Sequence, residues 1–565
     1  MANTLNTQPQ DRSLSALQTA NTSVKWRRLN IALHKRLLWW GALCVLIWTI
    51  SGLTHPLMSW FGPEQANYRP PSLNLTISDV SSGQSLRANA VSLTQLQSMS
   101  QLLVANQRER VSIAKVVPSQ DGAMLQLTYD QQSARQYLPL NALLVNDSVM
   151  SSENLFEVAR LDDYDRKQAQ WLAEHFTGRS EDEIESVEFI TQFSGEYPWV
   201  NRLLPVYKVK YKGDDQLTAF VHTETLQLAS LANQTRFQMQ AVFRALHTFD
   251  FLDEHNNVRV AGVLLAMLIL VSVSLSGLGL VILLARRKIK SVERRWHRRL
   301  GYFIWLPLFA WSISGGYHLI QSAYVDSPAG MRLNSAFAFT DINVSDLDLS
   351  IELSHLDSLQ GKSILAASLI ALNENLLLRL SVADRKPKAD VPAGPHAHHQ
   401  QLVKKYRGRP NEVSSVYLDA LTLETVNYSD SMRAQSIANQ FYHQQASSAS
   451  EASIIDVQKI SRFGPGYDFR NKRLPVWKVS YQDAQSSELF VDPVTSILVD
   501  QSRAIDRAER WSFSLLHKWN FLTPFTGRFN RDILIVIVLV LLTAMTVFGI
   551  RMGLLKRFSK RVIKK

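Results

Sequence analysis

Cysteine is almost missing from these 565 residues: Cys44 stands alone. Disulfides therefore cannot staple any domain, even in a compartment that permits them. Four-cysteine iron–sulfur ligation is excluded, and no Cys-x-x-Cys-His offers covalent haem attachment. No phosphate-binding glycine loop, HExxH zinc helix or visible Ser-His-Asp arrangement is present either. Acidic residues are in deficit, 49 Asp and Glu against 61 Lys and Arg, for a net charge of +12. If such a chain carries electrons, histidine must hold the cofactor, and there are 14 histidines.

Long apolar runs, in contrast, are plentiful. Leu37–Leu57, Val260–Ala285, Leu300–Leu319 and Ile533–Ile550 contain no charged residue. Each is close to the roughly 20 residues an α-helix needs to cross a bilayer. We expect spans at 31–60, 260–285, 300–320 and 533–550. Residues 1–36 carry six Lys or Arg and one acid, 286–299 eight and one, and 551–565 seven and none. The basicity thus reports topology and leaves nothing to argue for nucleic-acid binding. Tail 1–30, loop 286–299 and tail 551–565 are expected in the cytoplasm, with 61–259 and 321–532 across the membrane. The polar tract MANTLNTQPQDRSLSALQTANTS lacks the apolar core of a cleavable signal peptide. It is expected as a disordered tail, with the first span serving as an uncleaved signal anchor.

The first span is repeated. HKRLLWWGALCVLIWTISGLTH, from His34 to His55, lies over HRRLGYFIWLPLFAWSISGGYH, from His297 to His318, at a constant offset of 263. The overlay aligns Trp48 with Trp311 and Ile50-Ser51-Gly52 with Ile313-Ser314-Gly315. Twenty-one helical residues rise about 31 Å, so each helix carries a histidine near either membrane surface. At about 100° per residue both histidines fall on nearly one face. A second repeat pairs FSGEYPWVNRLLPVYKVKY with FGPGYDFRNKRLPVWKVSY at an offset of 270, followed by AFVHTETLQL over LFVDPVTSIL. RALHTFDFLD, around His247, then matches SLLHKWNFLT, around His517, just ahead of the second and fourth spans. The expected architecture is a membrane protein of four transmembrane α-helices in two pseudo-symmetric halves.

Each half should carry an extracytoplasmic α+β domain with antiparallel sheet. SIAKVV, MLQLTYD, PVYKVKY and AFVHT read as strands, and Glu153–Phe176 as mainly helical. In the second domain LLLRLSV, SSVYLD, PVWKVSY and ELFVDP read as strands and Glu451–Ile460 as helix. The Pro-, Ala- and His-rich stretch Lys386–Gln401 should be a loop, with His396, His398 and His399 solvated.

LPVYKVKY…FVHTETLQL and LPVWKVSY…LFVDPVTSIL resemble PepSY domains. The helices opening LHKRLLWWG and WHRRLGYF, with ALHTFDFLDE and LLHKWNFLTP before the other two, resemble the PepSY-associated transmembrane family. The likeness runs from about residue 25 to 555. Two departures concern one turn: His222 stands where the second copy has Asp492, and Leu226 and Ser496 replace the usual glycine. The family includes inner-membrane ferric-siderophore reductases that bind two b-type haems. The resemblance therefore implies a bacterial inner-membrane haem protein in iron uptake.

Six histidines are candidate cofactor ligands: His34, His55, His247, His297, His318 and His517. Their apolar surroundings suit haem b, and Lys35, Arg36, Arg298 and Arg299 could meet propionates. Two or three haems fit the count, without a pairing, and no metal beyond haem iron is expected. Trp39, Trp40, Trp48, Trp60, Trp305 and Trp311 are read first as interfacial belts. The leading function is an oxidoreductase moving electrons across the bilayer to a ferric chelate or siderophore. The donor would be a cytoplasmic flavoprotein or a quinol. A haem or metal transporter, and a PepSY-based sensor or binding protein without redox activity, stand as alternatives.

Overall fold

The structure, a computed structural model, describes residues 25–71, 111–140, 161–283, 289, 291–326, 330–333, 359, 362–372, 375–384, 414–420, 422–445, 452–464 and 466–562. The expected loop Lys386–Gln401, the tail before residue 25 and the first part of the expected helix from Glu153 lie outside the described residues. The chain packs as two compact units. One is helical (residues 1–62, 235–326 and 505–565), and the other is sheet-rich (residues 63–234 and 327–504).

Among the described residues, four helices of the helical unit are long and apolar enough to cross a membrane. They are α1 (Leu38–Trp60), α4 (Asn256–Leu283), α5 (Val292–Tyr324) and α8 (Thr523–Val562). A helical stretch over residues 25–36 leads into α1. The core is apolar: Val45, Met267, Leu270, Ile304, Leu308 and Leu542, with Cys44 among them. Outward positions such as Leu43, Leu268, Phe303 and Val540 are exposed, as lipid-facing residues are. Helix α5 begins within the expected basic loop 286–299, where Ser291 caps it by accepting from the Arg294 amide at 3.4 Å.

In the sheet-rich unit, α2 (Tyr164–Thr177) and α6 (Asp430–Gln445) each cover an antiparallel sheet. Under α2 lies β4-β5-β6-β7 (Ile184–Ile190, Val206–Tyr211, Thr218–His222, Gln227–Ala232). Ala169, Leu172, Ala173 and Phe176 of α2 bury against Val209, Ala219 and Val221. Under α6 the order is β12-β13-β14-β15-β8 (Ile454–Ile460, Val476–Tyr481, Glu488–Asp492, Ile497–Ser502, Met331–Arg332). Ala434, Ile437, Ala438 and Phe441 there meet Val479, Leu489 and Val491.

A third sheet runs β11-β10-β9-β1-β2-β3. Its strands are β1 (Ile113–Ser119), β2 (Gly122–Thr128), β3 (Gln136–Pro139), β9 (Lys362–Leu372), β10 (Asn375–Asp384) and β11 (Ser414–Asp419). Two three-stranded meanders join where β1 pairs β9, Ala114 opposite Leu369.

The helix expected over Glu451–Ile460 is instead strand β12. A β-bulge between Ile454 and Asp456 shifts the register against β13. That extra residue puts Ile454 and Val457, three apart, on one face, while Ile460 packs on the other, and the resulting three-residue apolar spacing mimics a helical face. The turn lacking its glycine is kept. Leu226 and Ser496 take φ of 55° and 53°, the left-handed region glycine usually fills. The equivalent peptides Leu204-Pro205 and Leu474-Pro475 are both cis.

Buried charge holds strands and turns together. Arg379 and Asp430 form a bidentate pair at 2.6 and 2.7 Å, with the Tyr417 hydroxyl donating to the same carboxylate at 2.6 Å. Burial alone would raise the Asp430 carboxyl, but Arg379 and these hydrogen bonds outweigh it and leave it below the usual carboxylate range. A carboxylate so depressed stabilises the fold above its unfolded pKa, about 3.9, and loses that contribution as pH falls through the folded value. We therefore expect the full-length protein to lose thermal stability steeply below about pH 4. Asp430→Asn should melt lower than the parent at pH 7 and flatten that acid limb in differential scanning calorimetry. An unchanged limb would assign the acid sensitivity elsewhere.

Candidate cofactor site

The repeated segments before α4 and α8 are built alike. After α3 (Gln234–Phe243) and α7 (Ala504–Ser512), residues Arg244–Thr248 and Phe513–His517 wind as π-helix. Such widened turns re-aim side chains and recur at functional sites. Here each carries a histidine at its last or next-to-last position, His517 and His247. His247 and His517 face each other with ring centres 6.2 Å apart and planes at 89°. His34, on the stretch 25–36, meets His297 of α5 with ring centres again 6.2 Å apart and planes at 69°.

That spacing has a chemical reading. With a bond of about 2.0 Å from imidazole nitrogen to metal, plus about 1.1 Å from nitrogen to ring centre, two imidazoles sharing one ion would have ring centres up to roughly 6.2 Å apart, so this spacing leaves room for one ion between each pair. Among the described residues no group of three or more His, Cys, Asp or Glu gathers to cage a cation. Haem requires only the pair, its macrocycle supplying the other four donors.

The hydrogen bonds suit the tautomer with its hydrogen on Nδ1. Ser276 donates its hydroxyl to the Val273 carbonyl at 3.1 Å, so its oxygen accepts from His34 Nδ1–H at 3.0 Å. Ser51 donates to the Ile47 carbonyl at 2.8 Å and accepts from His247 Nδ1–H at 3.1 Å. Ser314 donates to the Ala310 carbonyl at 2.7 Å and accepts from His517 Nδ1–H at 3.2 Å. The Met545 carbonyl can only accept, and His297 Nδ1 lies 2.9 Å from it. A proton on each Nδ1 would leave Nε2 free, the state a metal ligand needs. Small residues make room for them. A Cβ on Gly549 would stand 3.4 Å from His297 Cε1, and one on Gly315 3.6 Å from His517 Cε1.

The two pairs mark two levels of the bundle. Ser314 lies 17 residues along α5 from His297, about 25 Å at 1.5 Å per residue. Of the six histidines expected as ligands, four are thus brought together as two pairs. His55 and His318 are placed differently, at the two edges of the upper pair. Phe243 stacks on His247 at 4.5 Å and meets His55 at 6.4 Å. Phe513 stacks on His517 at 4.6 Å and on His318 at 4.2 Å. The resulting row of rings runs His55, Phe243, His247, His517, Phe513, His318.

Several partners escaped sequence reading. Ser276 and Met545 belong to no repeat match, and Glu509, whose Oε1 is 2.6 Å from His318 Nδ1, has Met239 as its counterpart. A readable signal did exist for Phe243 and Phe513, each four residues before its histidine. The Ile-Ser-Gly repeat gains a role as well, since its serines orient the upper pair. Among the basic candidates, Arg299 lies with its guanidinium 5.3 Å from the Trp296 ring centre. His222, unmatched in the repeat, is buried in the sheet-rich unit and bonds through Nδ1 to Thr225 at 2.7 Å, a structural role. His396, His398 and His399 lie outside the described residues.

Residues 131–557, well over half of the chain, match the family model described as PepSY-associated TM region. No curated protein matches the chain.

Proposed function

From the premise that this chain belongs to the PepSY-associated transmembrane family, we propose that it is a b-type haem protein that moves electrons across a membrane to reduce an extracytoplasmic ferric chelate. The observation carrying this reading is the 6.2 Å spacing, found twice, between histidines whose Nδ1 atoms are each held by a hydrogen-bond partner. His34 and His297 would hold one haem and His247 and His517 the other, without a covalent link. Haem, when bound, supplies a one-electron couple at each level of the bundle.

The chain's own residues do the rest. Ser276, Ser51, Ser314 and the Met545 carbonyl hold each ring in orientation and raise its basicity. The core around Val45, Leu270, Ile304 and Leu308 excludes water between the two levels. A pseudo-two-fold relation of the halves is supported by the β1–β9 junction, the matched cis-prolines and the matched π-turns.

The basic segments near His34 and His297 support a cytoplasmic entry for electrons, from a flavoprotein or quinol, with the sheet-rich unit in the periplasm of a bacterial inner membrane. A siderophore suits the acceptor. Chelators with hard oxygen donors hold Fe(III) far better than Fe(II), so one electron releases the iron. The test is vectorial. Proteoliposomes loaded with reductant inside should reduce an external ferric hydroxamate only when they contain the haem-loaded protein. Haem-loaded liposomes that perform no better than empty ones would overturn the reading.

A further inference from the structure

Cations gather at one edge of the upper pair. Lys518, Arg528, Asp532 and Arg531 surround His55. Arg236 of α3 joins them, within reach of the charge on Arg528, and its Cδ would lie 3.8 Å from a Cβ on Gly62, just past α1. Asp532 does not balance this group. Arg531 occupies its Oδ1 with Nη2 at 2.5 Å and Nε at 3.0 Å, and both residues are buried. Arg528 stands farther off, 3.7 Å from Asp532, with 43% of its side chain exposed. The non-helical Gly527 (φ 75°) turns the chain just before it.

The repeat shows that the fold does not demand these charges. The counterparts of Lys518, Arg528 and Arg531 are Thr248, Val258 and Ala261, that of Asp532 is Gly262, and that of Arg236 is Asp506. The cations therefore belong to the His55 edge alone.

We propose that Arg236, Lys518 and Arg528 form a docking basin for a negatively charged ferric chelate, one that holds iron through carboxylate and hydroxyl oxygens. That this ligand accepts electrons rests on the haem reading above; that it is anionic rests on the cations. Guanidinium groups match carboxylates as a fork, and an ammonium adds a point charge. Like charges gathered in a poorly solvated site repel one another, and an anion relieves that repulsion. A ferric trihydroxamate is neutral, because its three single charges cancel Fe(III), and gains little there. An α-hydroxycarboxylate complex keeps surplus negative charge. The position suits electron transfer, since Phe243 lies between the His55 and His247 rings, at 6.4 and 4.5 Å.

Haem propionates and phospholipid headgroups carry similar anionic oxygens, so the experiment must separate the three. Gallium(III) citrate mimics the ferric complex in charge and shape but accepts no electron. Equilibrium dialysis against the full-length protein in phosphatidylcholine nanodiscs should show binding that weakens as salt rises. Arg528→Gln and Lys518→Gln should each weaken it about tenfold, the loss of one charge-assisted contact, with haem content unchanged. Arg528→Lys should retain much of it, and a neutral gallium trihydroxamate should bind parent and variants weakly and alike. Citrate binding indifferent to the substitutions, or no stronger than trihydroxamate binding, would overturn the basin. Variants that keep citrate but lose haem would assign the cations to propionates and overturn it too. So would phosphatidylglycerol that copurifies with the parent but not with Arg528→Gln while citrate fails to bind. A colourless protein that binds gallium citrate through Arg528 would remove the haem reading and leave the basin. A coloured protein that does not bind it would overturn the basin alone.

Discussion

Replacing His247 or His517 with alanine should cut haem content to about half, and replacing His34 or His297 should remove the other half. A methyl group cannot ligate iron, and under the proposal each pair would share one ion between its two imidazoles. Combining His34→Ala with His247→Ala should leave a colourless protein that still inserts and folds, since neither pair forms the apolar core. Ser51→Ala and Ser314→Ala should weaken haem retention by about 10–100-fold without abolishing it, the usual effect of losing a group that orients a ligand. Pyridine haemochrome assays on purified variants read all of these. Loss of both haems from any single substitution would contradict two independent pairs.

Glu224→Ala should be the most damaging single change in the sheet-rich unit. Its carboxylate is fully buried and takes Arg332 at 2.7 Å, Arg135 at 3.1 Å and Arg473 at 3.4 Å, while Lys115 reaches its carbonyl. These cations come from β1, the residue before β3, β8 and the segment before β13. Burial would raise the Glu224 carboxyl, but the three arginines outweigh this and hold it well below the usual range. Removing the anion leaves cations buried without their counter-charge, a loss of about 3–5 kcal/mol. Burial already pushes the Lys115 ammonium down to about 8, against the pull of Glu224, so that lysine should shed its proton more readily in the variant. The full-length variant should unfold at markedly lower temperature or accumulate poorly. A melting temperature within a degree of the parent would contradict this account.

The sequence shows its helices clearly because a membrane imposes a strong and simple pattern. Runs such as Ile533–Ile550 need no partner to be read. Strands β1, β2, β5 and β6 were legible from alternation, and the repeat located both histidine-bearing turns. What failed depended on long-range contact. The bulge in β12 erased the alternation on which a strand reading rests, and the apolar stripe of α6 is two alanines with Ile437 and Phe441 in a polar sequence. In the site, repetition exposed the six histidines but not their pairing. Pairing is set by π-turns and by side chains from other helices, such as Ser276, which no local pattern encodes. The near-identity of His55 and His318 in the repeat also hid their difference, because Glu509 arrives from α7.

The central claim is that two histidine pairs hold two haems, and haem stoichiometry with spin state measures it most directly. Protein purified from haem-replete cells should carry about two haems per chain. Its dithionite-reduced spectrum should be that of b-type haem, and oxidised electron paramagnetic resonance should show only low-spin, bis-imidazole iron. A preparation without a Soret band even after haem is added, or one dominated by high-spin iron, would contradict the account.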